Sequence, residues 1–409
     1  MSLLVAAPRV LTGEGDLRPG WVDLDGDTVA AVGAGVPPRS PDLDLPDGIL
    51  APGLVDAQVN GAYGVDLAAA DDDGWARVST GLPATGVTSF VPTFVTAPVE
   101  DLAEALRRYA VRRPVLDALP GAARTLGVHL EGPFLSPAQA GAHDRRHLRD
   151  PDPDLVEALL EAGRDGALRY VTLAPERPGA LAAVRRLTGA GVRVAVGHSD
   201  ATHGVVVAAA DAGATLVTHL YNAQRGLHHR EPGVVGAALT DPRLTSGLIV
   251  DGAHVLPAAV GVALTAAPGR IMLVTDAVAA FGMAPGRYLL GGEEISLVEG
   301  RPPVRTDGTI AGAVGRLDEA VGRAAAAGAD LRAAVEAATR VPAAAVGRPD
   351  LGRLAPGLPA DLVWLAPQGS RPLRARATWV AGRLVHGADE FAVPGTSQGH
   401  DDHTHARDR

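Results

Sequence analysis

Glu131, His198 and His219 have the types and spacing to hold a divalent ion, each lying at the end of a short aliphatic run. A carboxylate with two imidazoles is a donor set that leaves one coordination position open for water or substrate. A lone histidine is more often structural. Two at the ends of successive hydrophobic runs, with a glutamate two runs earlier, favour a ligand set. Asp276, just beyond the last such run, is placed to act as a general base. The plainer reading of Asp276 is a helix N-cap or a strand-end hydrogen-bond partner. His129 lies two residues before Glu131, on the same strand face. It is read as a group that supports the ligand from behind.

What the chain lacks narrows the chemistry. It has no cysteine, so thiolate ligands, thiolate nucleophiles and disulfides are excluded. All 37 basic residues are arginine, which removes lysine Schiff bases and a lysine-derived carbamate bridging two metals. Any metal must be held by His, Asp or Glu. The net charge of −10 disfavours nucleic acid as a partner, and an anionic substrate would need a local arginine or backbone-amide site. No apolar run reaches the roughly 18 residues needed to span a bilayer. The N-terminal segment is briefly apolar without a basic start, so no signal peptide, no membrane association and a cytoplasmic location are expected.

The elements that position these residues follow from periodicity. Short β-rich runs ending near Gln58, Pro92, Leu130, Leu173, Val196, Val217, Val250 and Val274 alternate with Ala-rich helical stretches. Strand–helix alternation at this spacing predicts a parallel sheet closed into a (β/α)8 TIM barrel, with an open doubly wound sheet as the alternative. A barrel gathers its strand ends at one mouth, which would bring Gln58, Asn60, Glu131, Glu176, His198, His219, His254 and Asp276 together. Alternating segments at Leu3–Ala6, Gly20–Leu24 and Thr28–Val32 are matched near the other end by Asp361–Leu365 and a hairpin turning at Ala381-Gly382. This predicts a small β-sandwich domain from residues 1–50 and 355–393, a hydrolase barrel over 51–354 and a disordered tail over 394–409. Histidines in the tail would bind metal only adventitiously.

The runs His129-Leu130-Glu131-Gly132-Pro133, Gly197-His198-Ser199-Asp200-Ala201-Thr202 and Thr218-His219-Leu220-Tyr221-Asn222-Ala223 carry a resemblance. So do Arg230-Glu231-Pro232-Gly233, Asp251-Gly252-Ala253-His254-Val255 and Thr275-Asp276-Ala277, with Ala51-Pro52-Gly53-Leu54-Val55-Asp56 before them and Asp307-Gly308-Thr309-Ile310-Ala311-Gly312 after. Together they resemble the N-acetylglucosamine-6-phosphate deacetylase family of the amidohydrolase superfamily, in the family's order, over roughly positions 50 to 365.

The resemblance implies hydrolysis of the acetamide of an amino-sugar phosphate. It implies that His143 helps polarise the amide carbonyl, and that Asn222, the backbone N–H of Ala223, Arg230 and His254 grip the phosphate. A homodimer is also implied, with Arg230 and His254 reaching the neighbouring subunit's site. Many amidohydrolases carry His-x-His at the first strand end for a second metal. Here Gln58 and Asn60 stand there, and neutral amides are poor ligands. One ion per subunit, Zn2+ or Fe2+, is therefore expected, leaving Gln58 and Asn60 to face substrate. The chain departs from the family at Gln224-Arg225, where Met is usual, and at Ala313, where Ser is common; these changes are expected near the sugar pocket. The alternatives are another N-acylated amino-sugar phosphate, a cyclic amide, or a catalytically silent sugar-phosphate binder that would have lost the metal.

Overall fold

The computed structural model describes residues 2–369 and 371–391, so the tail expected from 394 onward lies outside the described residues. Eight parallel strands form the central sheet: β1 (Leu54–Val59), β2 (Val87–Val95), β3 (Val128–Glu131), β4 (Leu168–Leu173), β5 (Arg193–Val196), β6 (Leu216–Val217), β7 (Thr245–Ile249) and β8 (Ile271–Val274). They pair in chain order from β1 to β8. The seam between β8 and β1 closes just beyond the strand ends: the Asp276 N–H donates to the Gln58 carbonyl at 3.0 Å, and the Asn60 N–H to that of Ala277 at 2.7 Å. This is the expected TIM barrel.

Its strands are buried on both faces, as β1 is throughout, which is why they read as aliphatic runs rather than alternating ones. The surrounding helices are amphipathic. Ala180, Ala183, Val184 and Leu187 line the buried face of Ala180–Gly189 at helical spacing. Asp71, Asp152 and Asp330 cap helix N-termini, accepting the backbone N–H of Gly74, Asp154 and Arg332.

Both chain ends build the satellite sheets. A four-stranded sheet orders Thr28–Ala34, Gly20–Asp25, Ser2–Ala7 and Leu43–Asp44. A six-stranded sheet orders Arg383–His386, Arg371–Val380, Leu362–Gln368, Ile49–Pro52, Val10–Leu11 and Asp16–Leu17. Val5, Leu24, Leu50, Leu362, Trp364 and Trp379 belong to a core separate from the barrel's. The hairpin turns at Ala381-Gly382 with φ of 49° and 72°, the left-handed pair that a two-residue turn requires.

One element was not anticipated. Gly286–Leu290, Glu293–Leu297 and Val304–Arg305 form a three-stranded antiparallel sheet after β8. Its small core contains Val278, Ala280, Ile295, Leu297 and Ala311. The signal lay in two alternating runs joined by Gly291-Gly292, which is hairpin chemistry.

Among the described residues no helix is long and apolar enough to cross a membrane.

Candidate active site

The mouth of the barrel holds a cavity of about 340 Å³ lined by Asn60, Glu131, His143, His198, His219, Asn222, Ala223, His254 and Asp276, among others. Glu131 ends β3, and His198 and His219 each lie two residues past β5 and β6. Glu131 Oε1 stands 3.2 Å from His198 Nε2 and 2.9 Å from His219 Nε2, and the two Nε2 atoms are 3.1 Å apart. Ligand atoms around a tetrahedral ion with bonds of about 2.0 Å are about 3.3 Å from one another. The three residues thus fit a divalent ion.

The Nδ1 of His198 faces the Gln139 carbonyl at 2.9 Å, so it carries the ring proton and leaves the Nε2 lone pair turned into the cluster. Glu131, His143 and His198 also form a compact potential donor group, within 4.8 Å of one another. We favour His219 over His143 as the third ligand because the nearest Glu131 oxygen is 3.8 Å from His143.

Electrostatics mark the same residues. Burial alone would raise the Glu131 carboxyl, but the His198 and His219 imidazoles beside it hold it well below the usual carboxylate range. Burial pushes His143 down to about 3, with the nearby His198 adding to the shift, so this imidazole is neutral. The Thr96 N–H donates to His143 Nδ1 at 3.3 Å. An N–H cannot accept, so the ring proton sits on Nε2. Asp276 is pushed up to about 6 by burial and by the charge of Glu131. Its Oδ1 accepts from Asn60 Nδ2 at 2.7 Å and Gln58 Nε2 at 3.1 Å.

Some expected residues have other duties. Gln58 does not line the cavity: its buried Nε2 bridges Glu131 Oε1, at 3.2 Å, and Asp276. Both of its amide hydrogens are directed at these two carboxylates. His129 is fully buried, stacked on Tyr170 at 3.8 Å, and its ring nitrogens meet Thr93 and Thr172 hydroxyls at 3.1 and 2.7 Å. No hydrogen bond joins it to Glu131, so it packs the strand layer below the cluster. Glu176 accepts from the Ser199 hydroxyl and the Asp200 N–H, both at 2.7 Å, shaping the turn after His198.

His254 lines its own chain's cavity, and its Nδ1 is 2.7 Å from Asp251 Oδ2. Asn222 and Ala223 line it too, whereas Arg230 is exposed and does not. No arginine lines this cavity among the described residues. The departures from the family pattern also turn away from it. Gln224 donates to the Thr218 carbonyl at 2.6 Å, Arg225 pairs with Asp200 at 2.7 Å, and Ala313 is fully buried in the barrel interior. Thr96, Gln139 and Asp251 were missed as partners of site histidines. Only Asp251 had a local signal, three residues before His254.

Comparison with known proteins finds relatives over most of the chain. The amidohydrolase family model matches residues 49–385. The N-acetylglucosamine-6-phosphate deacetylase of Bos taurus is 40% identical over 355 residues, covering 84% of each chain. The N-acetylgalactosamine-6-phosphate deacetylase of Escherichia coli O157:H7 is 38% identical, covering 94% of this chain and all of that one. A mutant N-acetyl-D-glucosamine-6-phosphate deacetylase from Mycobacterium smegmatis, solved in complex with N-acetyl-D-glucosamine-6-phosphate, superposes with a TM-score of 0.87 at 42% identity. That match covers 94% of this chain and 99% of the solved one.

Proposed function

The chain belongs to the amidohydrolase family and, within it, to the N-acetylglucosamine-6-phosphate deacetylase family, and from that premise we propose that it hydrolyses the acetamide of N-acetylglucosamine-6-phosphate to glucosamine-6-phosphate and acetate. The observation that carries this reading is the convergence of Glu131, His198 and His219 on one wall of a cavity that His143 and Asp276 also line. In this reading the barrel over 51–354 bears the chemistry and the sandwich of 1–50 and 355–393 supports it.

Glu131, His198 and His219 would hold one divalent ion, Zn2+ or Fe2+. When bound, the ion supplies Lewis acidity and lowers the pKa of water towards about 7. Asp276, held near neutrality, takes a proton from water and returns it to the leaving amine. Asn60 and Gln58 both donate to Oδ1, which leaves Oδ2 for that proton. His143, neutral and protonated on Nε2, donates to the amide carbonyl as its oxygen gains charge.

Asn222, the Ala223 backbone and His254 would meet the phosphate. Among the described residues no arginine lines the cavity of a single chain, and Arg230 is exposed on a neighbouring loop beside Leu227, itself 63% exposed. Arg230 of a second copy would complete the grip in a homodimer, since an arginine fork matches a phosphate dianion. A cytoplasmic location belongs to the same proposal.

The galacto epimer is the second reading, supported by the relative that this chain matches over that protein's whole length. The test combines metal analysis with acetate release from gluco and galacto N-acetylhexosamine 6-phosphates. One ion per chain and release from the gluco compound are expected. Preferential release from the galacto epimer would move the assignment, and none from any phosphorylated sugar would overturn it.

A further inference from the structure

His143 sits in a loop that the unanticipated sheet after β8 holds from the far side. Arg305 ends that sheet, and its N–H donates to the Thr309 carbonyl at 2.8 Å, closing a turn whose Thr309 and Ile310 line the cavity. The Arg305 side chain, 21% exposed, crosses to the neighbouring loop and donates to the Ala142 carbonyl at 2.5 Å, one residue before His143. Ala142 packs on the sheet's small core. Glu293 joins the same link, 3.4 Å from Arg305 and 3.1 Å from Arg146, which also forks onto Asp144.

The members of this link differ in weight. Arg146 is 74% exposed, and ion pairs so open to water contribute little. The Arg305 bond is a charged donor on a backbone carbonyl in a half-buried place, which is the stronger kind. It matters because Gly141, with φ of 56°, gives the loop a flexible joint just ahead of Ala142. Thr96 orients the His143 ring, but it does not hold the backbone that carries it.

We infer that Arg305 is a positioning residue for the hydrolysis: through the Ala142 carbonyl it holds His143 against the cavity and couples that hold to the turn bearing Thr309 and Ile310. This rests on the reading of His143 above.

The experiment compares metal-loaded wild type with Arg305→Ala, Arg305→Lys and His143→Gln, measuring kcat, KM, melting and amide exchange over residues 141–148. Arg305→Ala should lower kcat about tenfold while KM moves less than about threefold. Exchange across the loop should quicken at an unchanged melting temperature. Arg305→Lys, which can still donate to the Ala142 carbonyl, should recover most of kcat. Wild-type kcat and exchange in Arg305→Ala would overturn the inference, as would a loss confined to KM or a lysine variant as impaired as the alanine one. If His143→Gln kept full turnover, the reading of His143 would fail instead; an impaired His143→Gln beside an unimpaired Arg305→Ala would sink this inference alone.

Discussion

Four non-glycine residues that line the cavity, His198, His219, Ala223 and Asp276, take positive φ, whereas among the non-glycine residues in the described part of the terminal sandwich only Ala381 does, inside a hairpin turn. Such conformations cost on the order of 1 kcal/mol each and persist where the surroundings over-determine them. The mouth also buries Asp276, Glu131 and three imidazoles together. The sandwich core is made of aliphatic side chains and two tryptophans. One region spends stability on aiming polar groups, and the other supplies it by burial. Substitutions in the two should therefore separate activity from stability.

The largest effect is expected at the mouth. Asp276→Asn should cut kcat by about 1,000-fold with metal content unchanged, and the melting temperature should hold or rise because a buried carboxyl beside Glu131 is gone. Turnover close to wild type would remove Asp276 from the role of base. The sandwich should behave in reverse. Trp379 is fully buried there, so Trp379→Ala should cost about 3–5 kcal/mol in denaturant unfolding, with kcat of the folded fraction unchanged. A matching fall in kcat would show that the two regions are not separable.

A smaller effect sharpens the contrast through pH. Burial pushes Asp56, beneath the mouth, from the ordinary 3.8 up to about 7, against hydrogen bonds from Thr275 and Gln58. Because the folded value is the higher one, the unfolded chain loses its proton first. This group's stability contribution is present below pH 3.8 and is lost as pH rises to about 7. Asp56→Asn should remove that slope, gaining on wild type across this window by on the order of a few kcal/mol. Parallel stability–pH curves for the two proteins would refute the assignment. In the sandwich, Asp16 carries the opposite sign: Arg18 and Arg9 hold it far below the usual range, and its contribution, lost on acidification, is small because solvent screens the group.

Much of this was legible before any coordinates. The eight barrel strands all fall on the short β-rich runs read from the sequence, most of which end beside a polar residue, because a strand buried on both faces reads as a short apolar run. The hairpin at Ala381-Gly382 was legible from turn chemistry, while Gly291-Gly292 carried the same kind of signal and went unread. The family motifs brought Glu131, His198, His219 and Asp276 forward in chain order.

Residue types alone settled the donor chemistry: without cysteine or lysine, and with Gln58 and Asn60 at the first strand end, only His and carboxylate ligands are available. Which atoms meet was a matter of the fold. Gln58 donates to both Glu131 and Asp276, Gln224 turns back to the Thr218 carbonyl, and Arg225 pairs with Asp200 in the loop after β5. The reason is geometric. A strand end fixes where a Cα lies to within a residue, but a hydrogen bond is decided over tenths of an ångström by side chains from strands far apart in sequence. Gln58 and Asp276, 218 positions apart, meet only because β8 closes against β1.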